Sequence, residues 1–315
     1  MFRAFASRVG GLVIVLFIVS IVVFLLLFLS GGDAAQVLLG DGATPDQVQA
    51  LRESMGLDRP IVLQYLSWIG GVLQGDFGES LYRGASVIDV ISSRLEPTVS
   101  IAVLAQIIAV LIAIPLGIAA ARRVNTPVDG AVTVYTMIGM ATPGFVFALL
   151  LAMVFALQLR WLPISGYVPI ENGASQWLQF ILLPSISLGI IHSALLTRMT
   201  RSSMLDILSE DFIRTARAKG ASAARVVYGH ALKNAAIPIL TVVGMGFAGL
   251  VTGALVTETI FNVPGLGKLM VESIQRRDIP VIQGVVLMVT VVFILINFIV
   301  DLLYMVIDPR VRKSA

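Results

Sequence analysis

Apolar and polar positions alternate along this chain on the scale of whole helices rather than single turns. Six long apolar runs, at residues 9–29, 98–121, 131–157, 178–197, 237–257 and 281–307, hold one charged residue between them, Asp301. Each run reaches the ~20 residues that an α-helix needs to cross the hydrocarbon core of a bilayer. None carries the polar face that a buried helix of a soluble protein turns to water. The pattern predicts an all-α polytopic membrane protein with six transmembrane helices. The first run exceeds an ordinary signal-peptide core, and Gly31-Gly-Asp33 is not a small-x-small cleavage pattern, so a retained anchor is expected.

The polar stretches between the runs are patterned too. In residues 30–97, Thr44-Pro45-Asp-Gln47 reads as a capping box with proline at the first helical position, and Gly56 is placed to end that helix. Residues 60–73 carry Ile61, Tyr65, Leu66, Ile69 and Leu73 near helical spacing, with Trp68 available for a membrane interface. Ser86-Val-Ile-Asp89 predicts a further short helix ending before Pro97. The segment fits a spacer with helical turns, or a lid or docking surface over a pore.

Prolines interrupt the runs themselves. Pro115 sits in the second and Thr142-Pro143-Gly144 near the middle of the third. A proline frees a carbonyl that lipid cannot satisfy, so such breaks face protein or water. They suit either a kinked packing helix or the wall of a translocation path. His192 in the fourth run, and Asn297 and Asp301 one turn apart in the sixth, are open to the same two readings.

Only 13% of residues are charged, about half the share usual in soluble domains, so where they fall matters more than the net +3. Fourteen Lys and Arg lie at the N-terminus, after the second run, in 198–233 and in the tail, against eight spread over the other loops. The positive-inside rule then puts both termini and the basic loop in the cytoplasm. Residues 30–97, with nine acids against four arginines, fall on the opposite side.

Catalytic chemistry is hard to find. Absence of cysteine removes disulfides and thiolate ligands, and two distant histidines do not suggest a metal site. Gly265-Leu-Gly-Lys268 is a poor match to a nucleotide-binding loop, with Asn262 in place of the upstream glycine and Leu269 in place of the magnesium-binding hydroxyl. The runs also lack a carboxylate relay for proton-driven transport. The chain is expected not to be an enzyme and to bind no cofactor.

What remains is the basic loop. Phe212, Ile213 and Ala216 predict an apolar patch on a short helix, with Arg214, Arg217 and Lys219 around it. Gly220 breaks that helix, Ser222 caps the next, and Val226, Val227 and Leu232 give the second an apolar side. Such a knob suits a groove on another protein or a bed of anionic lipid.

The stretch Arg214-Thr-Ala-Arg-Ala-Lys-Gly220, continued by His230-Ala-Leu-Lys-Asn-Ala235, resembles the "EAA" coupling loop of the membrane permeases of bacterial ABC importers, in the branch handling dipeptides, oligopeptides and nickel. Gly56-Leu-Asp-Arg-Pro60, Gly75-Asp-Phe-Gly78, Glu258-Thr-Ile-Phe-Asn-Val-Pro-Gly-Leu-Gly267 and Asp308-Pro-Arg-Val-Arg312 match that branch as well. Arg214 stands where the general motif begins with glutamate and Lys233 where it has proline, while Ala216 and Gly220 agree.

The resemblance implies a type I importer permease in the bacterial inner membrane. Its expected parts are an N-terminal helix (1–29), an external segment (30–97), a five-helix core (98–307) containing a cytoplasmic coupling loop (198–236), and a tail (308–315). Its partners would be a second homologous permease, two ATP-binding subunits that use ATP and magnesium, and an extracytoplasmic substrate-binding protein. Asp211, Arg214, Thr215, Ala216, Arg217, Lys219, Gly220 and Ala221 would contact the ATPase. Thr142, Pro143, Asn297 and Asp301 would belong to the path. Di- or oligopeptides are the expected cargo, with nickel, glutathione or an oligosaccharide as alternatives. A self-sufficient carrier or channel, and a scaffold without transport, are the rival classes.

Overall fold

The computed structural model describes residues 2–29, 35, 39, 42–54 and 56–307, almost wholly as helix. The chain divides into two compact units, Met1–Glu96 with Pro264–Ile294, and Pro97–Val263 with Leu295–Ala315. The motif Asp308-Pro-Arg-Val-Arg312 lies outside the described residues.

In the first unit, α1 (Phe2–Leu29) is one 28-residue helix. It meets α3 (Ile61–Leu73) through a hydrogen bond between Ser20 and the Tyr65 hydroxyl at 2.8 Å, and through Phe24, whose ring lies 5.4 Å from Tyr65 and 5.6 Å from Trp68. Trp68 thus packs against Phe24 with its ring tilted by 41°. Between these helices, α2 (Pro45–Ser54) begins as its sequence predicts: the Thr44 amide donates to Gln47 Oε1 at 3.0 Å, and the Gln47 amide to Thr44 Oγ1 at 3.4 Å. Gly56 follows with φ +67°, the left-handed conformation a helix stop requires.

The core of this unit joins Val87 and Ile91 to Leu266 and Leu269 of α10 (Leu266–Gln275) and to Val281 and Val285 of α11 (Ile279–Ile307). A side chain at Gly284 would meet Val87 Cγ1 at 2.6 Å, so hydrogen there is what lets α11 approach. Asp278, 2% exposed, accepts from Ser80 Oγ at 2.5 Å and from the Leu81 amide at 3.1 Å. Arg83 pairs with Glu272 at 2.8 Å, and Arg276 lies 3.6 Å over the Tyr82 ring. Residues 80–83 are therefore fastened along α10 and the turn after it.

The short helix expected from Ser86 does not end before Pro97. α4 (Val87–Arg122) runs 36 residues through both Pro97 and Pro115. Pro97 is buried, and the apolar residues beyond it must keep their backbone bonds inside the helix because lipid offers none, which outweighs one lost bond.

The second unit is built around α7 (Ala174–Leu208), 35 residues and so about 52 Å long. Glycines let its neighbours close on it. A Cβ at Gly117 of α4 would come 2.6 Å from Thr200 Cβ, and one at Gly139 of α5 (Pro127–Ala141) 2.6 Å from Ala194 Cβ. Small residues at helix crossings supply the packing on which association within a membrane depends.

The third apolar run is not one straight helix. α5 stops at Ala141, and α6 (Gly144–Leu151) leaves at 101° to it before relaxing into a π-helical turn at Ala152–Gln158. The proline of Thr142-Pro143-Gly144 breaks the backbone ladder there.

The basic loop is shorter than expected. Residues 198–208 are the end of α7, and only α8 (Asp211–Ala218) is a separate helix. Its expected partner, after Ser222, is a π-helical turn at Arg225–Ala231 that runs directly into α9 (Leu232–Ile260), past Pro238. Among the described residues, four helices are long and apolar enough to cross a membrane, or five if the bent α5–α6 pair counts as one span. Leu111, Met137 and Met245 are each about two-thirds exposed, an apolar exterior suited to lipid or to other subunits.

Candidate functional site

The eight residues of α8 are too few to hold a helix in isolation. One side chain and one stop signal hold this one. Ile213 is fully buried in a core cluster that also holds Leu196, Met204, Val226 and Val227. At the other end Gly220 adopts φ +80°, its amide donating to the Arg217 carbonyl at 3.0 Å while the Ala221 amide reaches the Ala216 carbonyl at 3.1 Å. That paired closure is a Schellman motif, and it needs a residue free to enter left-handed space. The Arg225 amide donates to Ser222 Oγ at 3.4 Å, capping the next helix.

Ile213 therefore faces inward and is no part of an outer apolar patch. The 100° step between successive helical residues turns Phe212, 43% exposed, away from that core onto the outer flank of the helix. Around it Asp211, Arg214, Thr215, Arg217, Lys219 and Gly220 are exposed, while Ala216 and Ala221 are half-buried. Arg214 Nη1 meets Asp211 Oδ1 at 3.1 Å, with both side chains largely in solvent, so the pair contributes little stability. All eight predicted coupling residues thus form one continuous projecting segment with a small, basic face.

A second feature is an apolar cavity of about 620 Å³ between α6, α7 and α9. Gly144 and Phe145 wall one side, His192 another, and Met245, Gly246 and Gly249 a third. The His192 imidazole lies so close to Gly246 that any side chain there would overlap it, and its Nε2 has no hydrogen-bond partner among the described residues. Thr142 and Pro143 form the break next to this wall, with the Thr142 hydroxyl donating to the Ile138 carbonyl at 2.8 Å. Asn297 is half-buried on α11 and is not among the lining residues. The Asp301 side chain lies outside the described residues.

Two contacts made by buried carboxylates went unforeseen. Asp129, 5% exposed in the first turn of α5, receives Arg201 Nε at 2.6 Å, Arg201 Nη2 at 2.8 Å and the Asn125 amide at 3.1 Å. Glu258, fully buried near the end of α9, accepts from Thr98 Oγ1 of α4 at 2.5 Å. An acid two residues ahead of an apolar run, and another within a glycine-proline motif, were the signals available. Arg201 and Arg198 also border a second cavity of about 530 Å³ beside Thr133, Thr136 and Met137.

Residues 113–313 match the family described as binding-protein-dependent transport system inner membrane component, and residues 1–102 match its N-terminal counterpart. The chain belongs to this family. This inner-membrane component is 44% identical over 305 residues to a probable peptide ABC transporter permease of Sinorhizobium fredii, covering 97% of each chain. It is 41% identical over 306 residues to the glutathione transport system permease GsiC of Escherichia coli, again covering 97% of each. Among solved structures, an inward-facing MetNI methionine ABC transporter aligns with TM-score 0.57 at 14% identity, over 70% of this chain and 96% of that one. An amino acid ABC transporter aligns with TM-score 0.53 at 17% identity, over 69% and 93%. The fold is that of an ABC importer permease, and the protein is a multi-pass component of the inner membrane.

Proposed function

We propose that this chain forms half of the translocation path of an ATP-driven peptide importer and receives its force through α8. The observation that carries this reading is the small exposed helix held by Ile213 and closed by Gly220, which leaves a basic face and Phe212 open at the surface. A partner ATPase would bind ATP and magnesium, and this chain would bind neither. A second homologous permease would complete the path, and an extracytoplasmic binding protein would deliver cargo. Six spans with both termini in the cytoplasm follow if α1 and the bent α5–α6 pair each cross once, in keeping with the distribution of Lys and Arg.

The relatives' names favour peptides, and glutathione, itself a tripeptide, is the second reading because GsiC is similarly close. The α5–α6 break at Thr142-Pro143, with Asn297 and Asp301, would flank the path. Movement of α8 would then shift the pore between two states, which ATP and loaded binding protein must favour unequally.

The test is reconstitution. The purified chain alone should leave labelled di- and tripeptides outside liposomes, and adding the second permease, ATPases and binding protein should start ATP-dependent uptake. Ala216→Trp or Gly220→Pro should release the ATPase or uncouple it while the chain stays in the membrane. Unaided accumulation of peptide would mark a carrier, and silence of the full complex a scaffold.

A further inference from the structure

The strongest unassigned feature of the second unit is the ion pair between Asp129 and Arg201. We propose that it is the clamp that makes α5 and α7 move as one lever, carrying displacement of α8 to the hinge at Thr142-Pro143. This rests on the reading of α8 as the point where force enters.

Arg201 stands seven residues before the end of α7, about 10 Å along the axis from where the chain turns into α8. Helices transmit such a displacement stiffly. Asp129 stands at the opposite end of α5 from the break, about 18 Å of helix away from Ala141. Between those ends the two helices stay in contact, at Tyr135 and Gly139 among other places. Tyr135 hydrogen-bonds Ser193, and Gly139 packs on Ala194 with no room for a Cβ. These two contacts sit in the apolar middle, where a hydroxyl and a methyl resist sliding weakly. The bidentate pair at the charged end resists it strongly, since both N–H···O bonds and their planar geometry must break together.

What lies beyond α5 makes the clamp consequential. After the break the chain turns by 101° into α6, whose Gly144 and Phe145 wall the cavity that also holds His192. A lever held at Asp129 tilts the break and that wall. A lever released there lets α5 lag behind α7, and the wall stays where it is. The Asn125 amide, on a residue with φ +58°, adds a third bond to the same carboxylate.

Asp129 and Arg201 are thus positioning residues, and their test reads peptide taken up per ATP hydrolysed in the complete reconstituted complex. Asp129→Asn leaves Arg201 without its partner charge. The double change Asp129→Leu with Arg201→Met removes both charges, so that no orphaned ion compromises folding. Both should assemble with partner subunits in normal amount and hydrolyse ATP, with uptake per ATP at least tenfold lower. Because the chain has no cysteine, Asp129→Cys with Arg201→Cys can be bridged by a short bismaleimide in cysteine-free partners. Bridging should restore uptake per ATP at least threefold over the unbridged protein.

Unchanged uptake per ATP in both charge variants overturns the proposal. So does a parallel fall in uptake and hydrolysis, with poor assembly and no recovery on bridging, which would mean a merely structural pair. Ala216→Trp on α8 separates the two readings. If it uncouples while the pair variants do not, the clamp fails and docking stands. If neither uncouples, both fall; if only the pair variants do, the docking reading fails and the clamp, which was to carry displacement of α8, fails with it.

Discussion

Truncating Ile213 to alanine tests how α8 is held. The side chain is fully buried in the core cluster that holds Leu196, Met204, Val226 and Val227, and it is the one buried residue of α8. Removing an isoleucine from such a site costs about 2–5 kcal/mol, the lower end applying where neighbours can relax into the space. α8 lies at the edge of its core, so about 2 kcal/mol is the appropriate figure, a factor of about thirty in the ratio of docked to undocked helix. An eight-residue helix has no stability of its own, so undocking and unwinding are one event. Hydrogen exchange in nanodiscs reads this directly. Amides of residues 213–219 should exchange at least tenfold faster in Ile213→Ala, while those of α5 keep their rates. Phe212→Ala, removing a larger but 43% exposed ring, should change the same amides less than threefold, since substitutions away from packed sites stay within about 0.5 kcal/mol. Equal protection in wild type and Ile213→Ala, or a larger effect from Phe212→Ala, would refute the inward orientation of Ile213.

Other outcomes follow from the same packing. Gly220→Ala forces a Cβ into φ +80°, costing about 1–2 kcal/mol, so exchange of the α8 amides should rise without loss of membrane insertion. Gly246→Val should lower the thermal stability of the purified chain because it overlaps the His192 imidazole, and His192→Ala should recover most of that loss in the double variant; purely additive losses would count against the contact. Asp278→Ala leaves the buried Ser80 hydroxyl and the half-buried Leu81 amide without their acceptor, a loss of about 1–3 kcal/mol for the buried group, and should expose residues 79–86 to limited proteolysis while α7 remains protected.

The features legible in the sequence were those written in neighbouring residues. The capping box at Thr44, the stops at Gly56 and Gly220 and the Ser222 cap all appear as expected, because each is a bond between groups three to five residues apart. The break at Thr142-Pro143-Gly144 was visible as a break, but its 101° turn was not. Proline specifies a missing bond, and the direction taken after it depends on what α6 packs against. Pro97 misled for the same reason: locally it reads as a helix stop, yet a buried helix that has no water to turn to continues through it.

Composition and hydropathy by themselves determined that this chain lives in a membrane, that its charge is gathered at loops, and that one short basic segment stands apart. Those properties are sums over contiguous residues, and lipid leaves a backbone no alternative to the helix. Only the tertiary structure decided which way Ile213 and Phe212 point, that Asp129 finds Arg201 seventy-two residues away, and that His192 lies against Gly246 in the wall of a cavity. An apolar run has no preferred face until its neighbours arrive, so contacts between helices are set by glycine clearances and paired charges that lie far apart along the chain.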